Sequence, residues 1–212
     1  MKLIAIGCTY TDDKMFIKDP NILYDIEEQL GYPVWPSILS KELKMDVVNL
    51  GKVGASNKYI FDQVLGLEDI DDIGLVVCLW SGWAREDGST EDTLRYMSES
   101  QKYIRDNKWP YIFIQGIHPY DYSKEYPRTA EIKKLLDSPY FDELEKDNFE
   151  GWPIFTEIGG WCADDKLTVN DKTNSDLMGW HKYLSNDPNT NGHKKISEMV
   201  LKKYKKLYYG KE

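Results

Sequence analysis

The chain opens on Leu3, Ile4, Ala5 and Ile6, an apolar run without polar alternation that Gly7 ends. Such a run suits a strand covered on both faces in a parallel sheet better than a half-exposed edge. Three later stretches also read as strands: Asp46 to Leu50 with Val47 and Val48, Gly74 to Trp80 (GLVVCLW, the most apolar of all) and Tyr111 to Gln115. Between them the apolar positions recur at helical spacing. Ile38, Leu39, Leu43 and Met45 predict a helix near Pro36 to Lys44, and Ile60, Phe61, Val64 and Leu65 predict one after the cap candidates Ser56 and Asn57. Longer helices are predicted from about Thr90 to Asn107 and from Gly192 or His193 to Leu207, with shorter pieces near Leu23 to Leu30, Ala130 to Asp137 and Tyr140 to Asp147. Ile154 to Ile158 reads as a fifth strand. The alternation predicts an α/β fold, a three-layer α/β/α sandwich with a flavodoxin-like, doubly wound parallel sheet. The reading is one domain over residues 1–212, with an irregular insertion around 149–191.

In open α/β sheets, ligands bind where the chain leaves the carboxyl ends of the strands. That places Cys8, Thr9, Tyr10 and Thr11 at the mouth of a crevice, together with the loops after Leu50 and Trp80.

Composition narrows the chemistry. A net charge of −9 argues against a nucleic-acid partner, and the lysines near the end are interleaved with Ile196, Met199, Val200 and Tyr204 as on a solvated helix face. Three cysteines, Cys8, Cys78 and Cys162, are too few and too scattered for a disulfide framework or a zinc site. No signal peptide or membrane span is read, so the expectation is a protein made inside the cell, cytoplasmic or virion-associated, with no membrane partner. The acidic pairs Asp12-Asp13, Asp71-Asp72 and Asp164-Asp165 read as solvated turns, and neither a metal nor a cofactor is expected.

Four blocks in order carry a resemblance. They are Gly7-Cys8-Thr9-Tyr10-Thr11; Trp35-Pro36 followed by Val48-Asn49-Leu50-Gly51-Lys52-Val53-Gly54-Ala55-Ser56-Asn57; Trp80-Ser81 with Arg85; and Asp187-Pro188-Asn189-Thr190-Asn191-Gly192-His193. This order resembles the SGNH (GDSL-like) hydrolases, and more closely a divergent branch from phage and environmental genomes whose first block reads Gly-Cys-Ser-Phe-Thr. The resemblance implies an esterase or deacetylase acting on acyl esters of small molecules or glycans. It puts Thr9 at the nucleophile, Gly54 at the second-block oxyanion donor, Ser81 or Gly82 near the third-block donor and Asp187 at the base.

The sequence departs from the pattern at those same places. Thr9 replaces a serine, the third-block asparagine is missing, and the base position holds an aspartate preceded three residues earlier by Leu184 instead of an aspartate. An ordinary carboxylate is a poor base toward an alcohol. His193, His181 and His118 are the histidines that could substitute, and His193 reads equally as a helix-terminal packing residue. Cys8 either lines the crevice or points into the sheet. Ser56 and Asn57 bind substrate or cap a helix, and Arg85 either holds an anionic group or pairs with Glu86 or Asp87. A second reading is a non-catalytic module holding a glycan or protein with Trp83, Tyr120, Tyr122, Trp161 and Trp180. A nucleotide-binding flavodoxin-like protein fits less well, because the Gly7 loop lacks the glycines and lysine of a phosphate cradle.

Overall fold

The computed structural model describes residues 1–16, 23–25, 31, 33–83, 89–118, 132–133, 135–172 and 187–210. Five parallel strands form the central sheet: β1 (Lys2–Gly7), β4 (Asp46–Asn49), β5 (Ile73–Trp80), β6 (Tyr111–Gln115) and β7 (Phe149–Glu150), in the order β4-β1-β5-β6-β7. A short antiparallel pair, β2 (Lys14–Phe16) and β3 (Leu23–Asp25), lies outside it. The chain starts in the sheet interior, crosses to β4 and returns past β1 to β5, so the winding direction reverses beside β1. This is the flavodoxin-like order with its switch point between β1 and β5.

Alternate residues of each strand feed two separate cores. Leu3 and Ala5 of β1, Leu75, Val77 and Leu79 of β5, and Ile112 and Ile114 of β6 pack beneath α1 (Trp35–Leu43) and α5 (Thr190–Tyr209), against Trp35, Leu39, Ile196 and Val200. Ile4, Ile6, Val76, Cys78, Trp80 and Phe113 point the other way, onto Ile60 and Val64 of α2 (Asn57–Leu65) and Leu94, Met97 and Ile104 of α3 (Thr90–Asp106). The period of two in the strands is what creates three layers. The apolar runs are continuous because both faces are covered.

The helix ends follow from local chemistry. Pro36 opens α1, and Lys44 closes it in the left-handed region. Ser56 Oγ accepts the Tyr59 N–H at 3.2 Å to cap α2. Ser89 and Asp92 form a reciprocal capping box at α3. Asn189 Oδ1 accepts the N–H groups of Asn191 at 2.9 Å and Gly192 at 3.3 Å, so α5 starts at Thr190, earlier than the periodicity predicts.

Two predicted elements are corrected. Leu23–Asp25 is a strand instead of the start of a helix, because it pairs with Lys14–Phe16; residues 26–30 lie outside the described residues. The fifth strand is Phe149–Glu150, paired to β6, and not Ile154 to Ile158. Ile154 sits at φ 63° and the N–H groups of Ile154 and Trp161 both donate to the Gly151 carbonyl at 2.9 Å, so this segment folds back on itself. It plugs Ile154 and Phe155 into the core. Helix α4 is confined to Pro139–Glu143, with a 3-10 turn at Lys146–Asn148.

Candidate functional site

At the carboxyl end of β1 the chain turns tightly: the N–H groups of Thr11 and Asp12 both donate to the Cys8 carbonyl, at 2.8 and 3.1 Å. Gly7 is required there, since a Cβ would stand 2.2 Å from Thr11 Oγ1. The turn sorts its side chains. Cys8 is fully buried, which corrects the crevice-lining one of its two readings, whereas Thr9 is half-buried at the mouth.

The loop after β4 is laid directly on this turn. Gly51 passes so close that a Cβ would lie 2.6 Å from Asp12 N. Asn49 Nδ2 donates to Thr11 O at 2.8 Å, Lys52 N–H to Gly7 O at 3.0 Å, and Val53 N–H to Asp12 Oδ2 at 2.6 Å. Lys52 to Ala55 is a β-turn closed by Ala55 N–H to Lys52 O at 3.0 Å. Its third residue, Gly54, sits at φ 73°, the type II geometry that favours glycine. From this turn Gly54 N–H donates to Thr9 Oγ1 at 3.4 Å. The structure thus brings together two of the predicted site residues, a hydroxyl and a backbone donor.

The third loop is held from beneath. Asn57 Oδ1 accepts Ser81 N–H at 2.8 Å while its Nδ2 donates to Ser81 O at 3.2 Å and Thr93 Oγ1 at 3.3 Å. Gln115 Nε2 adds a second donor to Ser81 O at 2.7 Å, and Gln115 Oε1 accepts Trp83 Nε1–H at 3.0 Å. These contacts correct two expectations. Asn57 is a buried clamp and not a substrate contact, and Ser81 is fully buried with its amide already engaged, so neither its hydroxyl nor its N–H faces the crevice. Gly82, half-buried, stands beside the His118 carbonyl. Ser56 is buried as the cap of α2 and does not line the crevice either. Trp83 is also core, edge-on to Phe155 at 5.4 Å, which removes it from any binding surface. Arg85, Tyr120, Tyr122, Trp180 and His181 lie outside the described residues.

At the fourth block, His193 is buried and its Nδ1 accepts the Trp35 N–H at 3.3 Å, joining the starts of α5 and α1. Burial pulls its pKa down to about 4, so the ring is neutral near pH 7. With Nδ1 accepting, the proton sits on Nε2. His193 therefore does the packing work of a helix start and has no lone pair for Thr9. Asp187 is half-buried close enough to Tyr10 for its charge to be felt there. The Tyr10 phenol is held well above its ordinary range, first by burial and then by Asp164, whose Oδ1 accepts its O–H at 2.7 Å. Lys172 Nζ pairs with the same oxygen at 2.7 Å.

Sequence reasoning missed Asp12, Gln115 and the Tyr10–Asp164–Lys172 link. The Asp12-Asp13 pair reads as a solvated turn, yet Asp12 is only 6% exposed. Among the described residues no basic side chain hydrogen-bonds Thr9 Oγ1, and no cluster of His, Cys, Asp or Glu could hold a metal ion. The assembled part of the site is therefore a hydroxyl with a main-chain donor directed at it.

No protein-family model and no curated protein matches the chain. Solved structures do match it along nearly its whole length. An acetyl xylan esterase from Geobacillus stearothermophilus superposes with a TM-score of 0.56 at 13% identity, covering 95% of this chain and 93% of that one. A lipolytic protein of the G-D-S-L family from Desulfitobacterium hafniense gives 0.53 at 15% identity, covering 95% and 98%. A GDSL-like lipase from Bacteroides thetaiotaomicron gives 0.51 at 13% identity, covering 97% and 88%. The chain thus has the fold of GDSL-type esterases. Catalytic variants of the xylan esterase replace a serine, an aspartate and a histidine three positions beyond that aspartate.

Proposed function

We propose that this chain is an SGNH (GDSL-like) hydrolase of the ester-cleaving type, acting on acyl esters of small molecules or glycans, with Thr9 at the nucleophile position. The observation that carries the reading is the Gly54 N–H aimed at Thr9 Oγ1 from a type II turn, on a fold shared with acetyl xylan esterases. In acyl transfer the hydroxyl attacks the carbonyl carbon, its proton leaves to a base, and backbone donors stabilise the oxyanion. Thr9 supplies the hydroxyl and Gly54 a donor, while Asp187 takes the base position. A β-branched alcohol at the nucleophile position with a carboxylate at the base position predicts slow turnover.

The test compares wild type, Thr9→Ala, Thr9→Ser and the double variant Thr9→Ser/Asp187→His on p-nitrophenyl acetate and acetylated xylooligosaccharides. The expected result is near-background hydrolysis by wild type, none by Thr9→Ala, and measurable turnover by the double variant. Robust wild-type hydrolysis that survives Thr9→Ala would refute the nucleophile assignment. Saturable binding of the acetylated sugar without turnover in any variant would instead favour the binding module, a reading supported by the lack of a base on Thr9 among the described residues.

A further inference from the structure

We propose that Asp12 is the positioning residue of this site: its carboxylate fixes the Val53 amide and so sets the direction of the Gly54 N–H toward Thr9 Oγ1. The inference rests on the esterase reading only for its catalytic consequence; the geometry it describes is measurable without turnover.

Asp12 is a carboxylate in an unfavourable place. It is 6% exposed, and among the described residues it forms no ion pair. Both its oxygens are used by main-chain amides, Oδ1 by Lys14 N–H at 2.9 Å and Oδ2 by Val53 N–H at 2.6 Å. Burying a charge without a counter-ion is unfavourable, and two amide hydrogen bonds recover only part of the loss. Asp12 accordingly has its pKa raised, with burial the largest cause and the two amides opposing it. A side chain needed only to fill this space would not have to be ionisable.

What the carboxylate gains is control of a peptide plane. In the Lys52–Ala55 turn, Gly54 N–H belongs to the peptide that joins the second and third residues. That is the plane which reverses between type II and type I turns. A flip would swing the N–H away from Thr9. One side of the plane is anchored by Val53 N–H on Asp12, the other by Ala55 N–H on Lys52 O at 3.0 Å. Of these two anchors the first ties the turn to the chain segment bearing Thr9, alongside the Lys52 N–H on Gly7 O, and it is the one beside the Val53–Gly54 peptide. Protonating Asp12 turns one carboxylate oxygen into a poor acceptor, and Asn at this position would present an NH2 group to one of the two amides, donor against donor.

Among the described residues, the charged and titratable groups that act on Asp12 or stand beside those that do include Asp13 and Lys14 on its own turn, Tyr59, which faces it from α2, and Lys52, which stands over the Tyr59 ring at 5.2 Å.

The experiment is a ¹H–¹⁵N NMR titration of the full chain, wild type and Asp12→Asn, from neutral pH down through the carboxylate range. In wild type the amides of Lys14, Val53 and Gly54 should move together with one midpoint above the ordinary aspartate value of about 3.9. In Asp12→Asn that shared titration should vanish, and the Gly54 resonance should be displaced at neutral pH. Should the variant fail to fold, the wild-type titration still decides: a Gly54 amide that does not follow the Val53 midpoint overturns the proposal. If the Thr9→Ser/Asp187→His background hydrolyses esters, adding Asp12→Asn should lower kcat by about 10²-fold, the cost of a misplaced oxyanion donor, with little change in KM. A fall in kcat/KM carried by KM alone would overturn it. Absence of any ester turnover would count against the esterase reading, while the shared NMR midpoint would still decide the role of Asp12.

Discussion

Adding one methyl group at Gly51 should separate the two loops that make the site. An ideal Cβ there would lie 2.6 Å from Asp12 N, 2.7 Å from the Thr11 carbonyl carbon and 2.9 Å from Asp12 Cα. All three are backbone atoms, which cannot rotate aside. Ordinary carbon contacts need about 3.5–4.0 Å, so in Gly51→Ala the loop after β4 has to retreat by about 1 Å. Overpacking of this kind costs about 1–3 kcal/mol. The unfolded chain, losing glycine's freedom, returns about 0.4–1 kcal/mol of that. A net loss of about 1–2 kcal/mol lowers Tm by about 2–8 °C for a chain of this size. Gly54→Ala is the matched control, because no heavy atom lies within 4 Å of its Cβ and its cost is the left-handed φ alone, about 1–2 kcal/mol. Calorimetry gives the two Tm values, and NMR tells the causes apart: Gly51→Ala should move the Thr11 and Asp12 amides, Gly54→Ala should not. Wild-type stability together with unmoved Thr11 and Asp12 resonances in Gly51→Ala would refute the close approach and the site geometry built on it.

Three further outcomes follow from buried and capping groups. His193 has its folded pKa depressed to about 4 by burial, below its unfolded value of about 6.5, so the unfolded chain binds the extra proton first. Stability should therefore fall as pH drops from about 6.5 toward 4, by about 2 kcal/mol between pH 7 and pH 5; His193→Gln should flatten that slope in urea unfolding. Asn57→Ala leaves the buried Ser81 N–H without its acceptor and should cost about 1–3 kcal/mol in urea unfolding, with Gln115 unable to compensate because it reaches only the Ser81 carbonyl. Ser89→Ala removes the exposed capping box of α3 and should cost about 1 kcal/mol, read by thermal denaturation.

The central strands were legible because burial on both faces leaves no room for polar residues: β1, β5 and β6 all stand where an apolar run lies, while the exposed edge strand β4 is marked only by its Val47-Val48 pair. The cap of α2 was legible for a local reason, since Ser56 needs only a partner three residues on. What escaped depends on partners far along the chain. Phe149–Glu150 is a strand because β6 is beside it, and two residues carry no period of their own. Ile154 to Ile158 has the composition of a strand but is bent back by hydrogen bonds to Gly151. The first and second blocks point to Thr9 and Gly54, which the fold does bring together, yet nothing local marks Asp12 as buried, because its acceptor role is set by Val53 on another strand's loop. The same holds for Ser81, which stands near the third-block donor in sequence and whose main-chain N–H and carbonyl are taken up by Asn57 and Gln115.

The Gly54 donor is a main-chain group, and this gives the site an unequal tolerance to change. Every residue except proline keeps an N–H at that position, and the turn is tied to the Thr9 segment through Asp12 and through the Gly7 carbonyl. A hydroxyl or a base, by contrast, disappears with a single codon. Random substitution along such a crevice erases the proton-handling side chains first and the oxyanion donor last. On the proposed ester-cleaving reading, the donor that takes a whole fold to build outlasts the side chains, and Thr9→Ser with Asp187→His tests whether turnover returns with two replacements.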